Sequence, residues 1–238
     1  MLWIFLLSLF GAFIQRTIGF GFGIFVMTVF PLLLPTYGEA TMLSGLLALV
    51  TNFTIVCRNW RYICWQRLWL ILIVFLLVSS LAIVLLPHLS DANLRIYLGI
   101  MLLLVAGYFA FCSKHFRLRP TNALQIGMGC CSGIMGGWFA MQGPPAILYF
   151  IASEPTKQHY LAMTSAYFLF GNLFMTLVRL KVGFFTDSVG CGLLIGLPAI
   201  FVGTWVGSKV FQRISEQKLR YAVYAYIALA GILLLLRG

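Results

Sequence analysis

Acidic side chains are nearly missing from this sequence: its 238 residues hold five, Glu39, Asp91, Glu154, Asp187 and Glu216, against sixteen Lys and Arg. All five fall at the ends of apolar runs or in the links between them, as do the three histidines, His88, His115 and His159. No predicted helix offers a pair of metal-ligating or acid–base residues at three- or four-residue spacing. That excludes a metal-dependent or acid–base enzyme working inside a membrane, a carboxylate proton relay, and cation coordination by buried carboxylates. Charge of any sign is scarce, at 9% against 62% hydrophobic residues with a mean hydropathy of +1.01. A soluble globule cannot be dressed with so little polar surface, so the chain is read as integral to a lipid bilayer. The six cysteines, at 57, 64, 112, 130, 131 and 191, lack disulfide or metal spacing and are read as small packing residues. A phosphate-binding loop is also missing, and nothing implies a cofactor. The net charge of +11 would suggest nucleic acid in a soluble protein, but here the basic residues sit at the ends of apolar runs, where they set orientation.

What is present is apolar sequence in blocks long enough to span. The first block, Leu2 to Leu34, is interrupted, and three helices are expected near Thr41–Cys57, Leu68–Leu86 and Leu94–Cys112. The order then repeats: an interrupted block from Ala123 to Ala152, followed by helices near Tyr160–Leu180, Ser188–Phe211 and Leu219–Leu236. The expected fold is therefore an all-α polytopic membrane protein of two related four-segment repeats, about eight segments in all. Residues 1–113 form the first repeat, 114–121 a basic connecting loop and 122–238 the second repeat. Sparse identities support the duplication: Gly11 aligns with Gly133, Gly21 with Gly143, Asn52 with Asn172, Ser90–Arg95 with Ser215–Arg220, and Ala106-Gly107 with Ala230-Gly231. The first fifteen residues could pass for a signal peptide. They lack a basic leader and run straight into the repeated element, which favours retention.

The two interruptions organise the rest. Gly11–Pro35 contains Gly19, Gly21 and Gly23, and Gly127–Phe150 contains Gly133, Gly136, Gly137 and Gly143 followed by Pro144 and Pro145. Broken backbone at membrane depth survives only when buried in protein or lining a cavity, and paired interruptions in two halves point to a transporter's binding site. As a single straight helix the first block would measure about 50 Å against a hydrocarbon core of about 30 Å, so it bends. If each block crosses, the halves are parallel; if each is re-entrant, the halves are inverted. Inversion gathers eleven basic residues on one side and leaves four opposite, which favours inverted repeats with both termini outside.

Within the blocks, Gln15, Arg16 and Thr17 precede the first glycine cluster, and Ser132 and Gln142 flank the second. Arg16 is the one basic residue read as lying inside an apolar block. It reads either as a ligand for an anion or as a side chain snorkelling to an interface. Helix starts after glycine turns present free N–H groups and a positive dipole end, which suits an anion. Asn52 and Asn172 read as further donors or as interhelical hydrogen bonds, whereas Gly192, Gly196, Gly203 and Gly207 read as packing. Pro31, Pro35 and Pro198 bend or end helices; Trp3, Trp65, Trp69 and Tyr221 read as interfacial anchors.

At Ile14–Gly23, IQRTIGFGFG, and Gly133–Tyr149, GIMGGWFAMQGPPAILY, the chain resembles the sulfite exporter TauE/SafE family of permeases. The resemblance implies secondary transport of sulfite or sulfonate-like anions across a bacterial inner membrane. Gln142 departs from the family pattern, which often has glycine there. The site expected on these grounds comprises Gln15, Arg16, Thr17, Gly19, Gly21, Gly23, Asn52, Gly136, Gly137, Gln142, Gly143, Pro144 and Asn172. The expected partners are a small anionic substrate and the lipid bilayer, with no nucleic acid; a homo-oligomer is compatible with such a chain. A permease for another small metabolite and a non-transporting membrane scaffold are the alternatives.

Overall fold

The computed structural model describes residues 1–107 and 121–210, with 225, 228–229, 231–232 and 235–236 beyond them. Most of the expected basic loop at 114–121 and of the last expected helix, with the repeat matches at 215–220 and at Ala230, lies outside the described residues. The described chain is all helical: α1 Leu2–Ile18, α2 Phe22–Met27, α3 Phe30–Leu33, α4 Tyr37–Asn59, α5 Trp65–Leu85, α6 Asp91–Gly107, α7 Asn122–Phe139, α8 Gly143–Ser153, α9 Lys157–Val182 and α10 Asp187–Val210. Among the described residues, four stretches are long and apolar enough to cross a membrane: Tyr37–Cys57, Trp65–His88, Gln158–Val182 and Asp187–Lys209. With the apolar helices around them, they make this a multi-pass membrane protein.

The long helices begin earlier than apolarity alone predicts, because caps set their ends. Thr36 accepts the Glu39 N–H at the start of α4, and Thr156 accepts the His159 N–H at the start of α9. Thr121 does the same for Leu124 on α7. Such a cap satisfies one of the orphan amides of the first turn and contributes about 1 kcal/mol. Thr36 and Thr156 each follow a proline, Pro35 and Pro155, so Pro-Thr punctuates the two halves at the same place.

Both interrupted blocks fold back on themselves. A Cβ built on Gly11 of α1 would lie 3.1 Å from Val26 of α2, and the Phe22 amide donates to Gln15 Oε1 at 3.0 Å. In the second block, Gln125 in the first turn of α7 donates to the Tyr149 hydroxyl in α8. Were α8 to continue the direction of α7, those residues would stand roughly 36 Å apart at 1.5 Å per residue, far beyond side-chain reach. Each block is therefore a helical hairpin whose tip is the glycine-containing break.

The helices that follow the hairpins, α4 and α9, pack against each other and run antiparallel. Gly45 of α4 faces Thr176 and Arg179 of α9, Gly38 faces Phe184 just past its end, and the Cys64 amide beyond α4 meets Met163 Sδ near the start of α9 at 3.2 Å. Each hairpin then leans on the other half: α1 packs along α10, and α7 along α5. Both seams are parallel and made close by glycine. On α7, Cβ atoms built on Gly129, Gly133 and Gly137 would lie 3.1, 2.8 and 2.5 Å from Ile71 or Val74, Val78, and Ala82 of α5. On α10, one built on Gly203 would lie 2.2 Å from the Leu9 carbonyl oxygen, and one on Gly207 3.2 Å from Arg16 Cβ. Gly192 and Gly196 likewise meet Leu43 and Leu47. The small residues thus set helix separation, as close-packed membrane helices require.

A methyl at Gly203 meets backbone that cannot rotate away. Gly203→Ala is expected to lower the melting temperature in detergent, at a cost of about 1–3 kcal/mol of overpacking. Gly190→Ala on the same helix meets nothing within 4 Å and gains helix propensity, so it is expected to be neutral or slightly stabilising. Equal melting curves for the two variants would contradict this account of the seam.

Candidate functional site

Each hairpin tip must satisfy the amides and carbonyls its break exposes. Helix α1 ends on Gly19 in the left-handed region, at φ 89°, its amide donating to Gln15 O at 2.8 Å, and α2 starts from Gly21 at φ 106°. Here the backbone needs glycine, since a side chain is disfavoured in that region. Helix α7 ends on Ala140, the only described non-glycine residue with positive φ, at 54°, with its amide donating to Gly136 O and that of Met141 to Met135 O. Paired bonds of this kind close the last turn of a helix.

Side chains complete the satisfaction. Gln15, buried, takes the Phe22 amide on its oxygen and donates through its nitrogen to Asn52 Oδ1 at 2.6 Å; Asn52 in turn donates to Ala48 O at 2.8 Å. One carboxamide thereby ties α1, α2 and α4 together. In the second hairpin, Tyr167 donates to Ser132 Oγ at 2.8 Å, and Ser132 donates to the Gln142 carbonyl. Arg179 of α9, with no solvent exposure, donates through Nη2 to the carbonyls of Gly136 and Gly137 at 2.8 and 3.2 Å. A cation at the carbonyl end of a helix is favoured by both charge and dipole.

The tips meet at one small cavity of about 30 Å³, lined by Gln15, Gly21, Gly23, Ile24, Ala48 and Asn52 from the first half. From the second half come Ala140, Met141, Gln142, Gly143, Phe168 and Asn172. The two breaks touch: a Cβ built on Gly23 would lie 2.2 Å from the Ala140 carbonyl oxygen. The polar part of the lining is carboxamide and backbone, set among the apolar Ile24, Ala48, Met141 and Phe168, and Gln142 Oε1 is buried with no hydrogen-bond partner.

Of the thirteen residues expected at the site, Gln15, Gly21, Gly23, Asn52, Gln142, Gly143 and Asn172 line this cavity. Gly136 and Gly137 lie behind it, their carbonyls held by Arg179, with Gly137 also pressed against α5. Pro144 is buried in the first turn of α8, and Gly19 caps α1 beside Leu161. Thr17 bonds back to Phe13 O and Ile14 O, both at 2.9 Å, and is turned to its own helix. Arg16 is elsewhere. Its Nε donates to Ser208 Oγ at 2.8 Å, and it lines a separate, larger cleft of about 680 Å³ with Thr54, Trp205 and Ser208 near the end of α10, where Lys209 also sits. That placement matches the snorkelling arrangement rather than a ligand of the small cavity.

Arg179 is the residue that sequence reasoning passed over, as a basic residue at a segment end. The available signal was its spacing from Asn172 and Thr176, which puts all three on one face of α9. Neither a curated protein nor a solved structure matches this chain. The family model described as sulfite exporter TauE/SafE does match, over residues 4–234, nearly the whole length and both hairpins. The chain belongs to the TauE/SafE sulfite exporter family of membrane transporters.

Proposed function

We propose that the protein is a secondary permease for small oxyanions of sulfur, sulfite or organosulfonates, with its site at the cavity between the hairpin tips. The observation that carries this is the meeting of two broken hairpins, one from each half, at a buried cavity lined by Gln15, Asn52, Gln142 and Asn172. Broken helices converging on a central site are the transporter arrangement, and carboxamide and backbone donors suit sulfur-bound oxygens. Backbone N–H groups near Gly23 and Gly143 add donors, whereas Pro144 and Pro145 remove two from the first turn of α8.

The antiparallel run of α4 and α9 supports inverted repeats of about four segments each, since a two-fold axis relating antiparallel counterparts lies in the membrane plane. The hairpins then open on opposite sides and meet inside. Transport proceeds by alternating access, with one half rocking against the other along the glycine seams. The cavity is narrow, and on this reading the conformation is the contracted one. An inside-negative potential favours export of an anion by about 2.3 kcal/mol per charge at 100 mV. A bacterial inner membrane fits this role, and the chemistry calls for no cofactor. The competing reading is a neutral polar cargo, favoured by the lack of a charged side chain in the described lining.

In proteoliposomes under an imposed potential, saturable flux of labelled sulfite is expected. Asn172→Leu and Gln142→Leu should each lower transport at least about tenfold, the loss of one or two hydrogen bonds to a charged ligand. Flux of a neutral solute that sulfite fails to inhibit would select the competing reading. The topology is tested separately by maleimide labelling in a cysteine-free background: Asn122→Cys and Pro155→Cys should react from one side of the membrane and Pro35→Cys from the other. Labelling of all three from one side would exclude the inverted arrangement.

A further inference from the structure

We propose that Arg179 is the cationic ligand of the transported anion, held beside the contracted cavity and exchanging its grip on α7 for the substrate when the cavity opens. The inference rests on the anion-permease reading and names the charge that the cavity lining lacks.

The guanidinium is in an unusual position for a membrane protein. Arg179 has no solvent exposure, and no carboxylate lies within ion-pair distance of it among the described residues. Tyr37, the titratable group closest to it in electrostatic effect, carries a buried hydroxyl with no partner. Nη2 is occupied by the Gly136 and Gly137 carbonyls, but Nε and Nη1 have no hydrogen-bond partner. A buried cation with unused donors is costly, and evolution has cheap ways to cap a helix end that bury no charge. Holding two carbonyls does not require a guanidinium.

Its surroundings lead to the cavity. A side chain on a helix leans toward the N-terminal turn, so Arg179 leans along the Asn172 and Thr176 face of α9, toward the end that lines the cavity. The Thr176 hydroxyl is also buried and unpartnered. On α4, Gly45 stands 3.2 Å from Nη1 by its built Cβ, one turn before Ala48, which lines the cavity. Across the Gly136 peptide that Arg179 holds, the unpartnered Gln142 Oε1 lies 3.3 Å from a Cβ built on Gly136. A single residue of α7 thus separates the occupied Nη2 of the cation from a lining side chain.

Glycine at 45 puts no side chain against Nη1, which leaves a planar guanidinium room to turn on that side. In the open cavity, Nη2, on leaving the Gly136 and Gly137 carbonyls, forms with Nε or Nη1 a fork that fits two oxygens of a sulfite or sulfonate group. Because the same group then loosens its hold on the end of α7, anion binding frees the tip of the second hairpin, and an empty site restores the hold. Binding and hairpin movement are linked through one side chain.

The test uses the full-length protein in proteoliposomes, with sulfite and methanesulfonate as anions and dimethyl sulfone as the neutral counterpart. Arg179→Gln is expected to raise the half-saturation concentration for both anions by about 30-fold or more, the loss of a charge-assisted fork, and to erase the preference over dimethyl sulfone. Arg179→Lys, which keeps the charge and loses the fork, should recover anion preference with an intermediate half-saturation. Gly45→Ala, which places a methyl against Nη1, should raise half-saturation while leaving the melting temperature unchanged or higher. A role confined to capping α7 would instead lower stability and maximal flux and leave the anion preference intact. Unchanged half-saturation and preference in Arg179→Gln would overturn the proposal while leaving the permease standing. If that variant does not fold, unchanged values in both Arg179→Lys and Gly45→Ala overturn it. Wild-type protein that moves no anion at all would remove the permease reading, and this inference with it.

Discussion

A helix that stops inside a membrane leaves amides and carbonyls that lipid cannot satisfy, and the rest of this structure follows from where those groups find partners. At the first tip the answer is one carboxamide: Gln15 receives the Phe22 amide and fastens it to Asn52 on the neighbouring helix. At the second tip it is shared among Ser132, Tyr167 and Arg179. Both solutions draw on the helices that follow the hairpins, α4 and α9, so the tips are fixed to the centre of the molecule. The same groups that repair the breaks therefore surround the space where the breaks meet.

The hairpins can lie against the opposite half only because glycine removes the side chains between them. The two seams achieve this differently. In one, the small residues Gly129, Gly133 and Gly137 are on the hairpin helix; in the other, Gly203 and Gly207 are on its partner, α10. Equivalent geometry is thus reached from inequivalent sequence, which explains why identities between the halves are sparse even where the packing is shared. What is common to both is backbone proximity, and proximity can be supplied by either side of a contact.

Much of the architecture was legible because it depends on properties that sequence states directly. Apolar length gives the four long spans, and the GFGFG and GPP clusters stand at the breaks over Gly19–Gly21 and Ala140–Gln142. Gln15, Asn52, Gln142 and Asn172, which line one cavity, stood out in sequence as polar amides in apolar blocks. Arg16 and Arg179 show where this reasoning stops. One looked buried and the other looked terminal, yet Arg16 sits in a cleft near the end of α10 and Arg179 has no exposure at all. Depth in a linear block does not give depth in a bundle, because a hairpin returns its chain and a neighbouring helix overhangs another's end. Helix starts were misread for a related reason: the caps at Thr36 and Thr156 extend α4 and α9 beyond their apolar stretch.

The position of the charge relative to the cavity also bears on how a permease of this build avoids trapping its cargo. A cation lining the site permanently would bind an anion strongly in every conformation, and a ligand favoured equally by all states shifts none of them. A cation that must leave another partner to reach the anion binds with that cost subtracted. Its attraction is also spent in one conformation and recovered in the other. In the proposed mechanism the carbonyls of Gly136 and Gly137 are such an alternative partner: weaker than an anion, fixed by the end of α7, and on the element proposed to move. The carboxamides, which donate and accept alike, would add selectivity for shape and oxygen content without adding net charge. Neutral amides at the centre with a cation behind them that exchanges partners, as proposed, would separate recognition from release in a way that a permanently charged pocket does not.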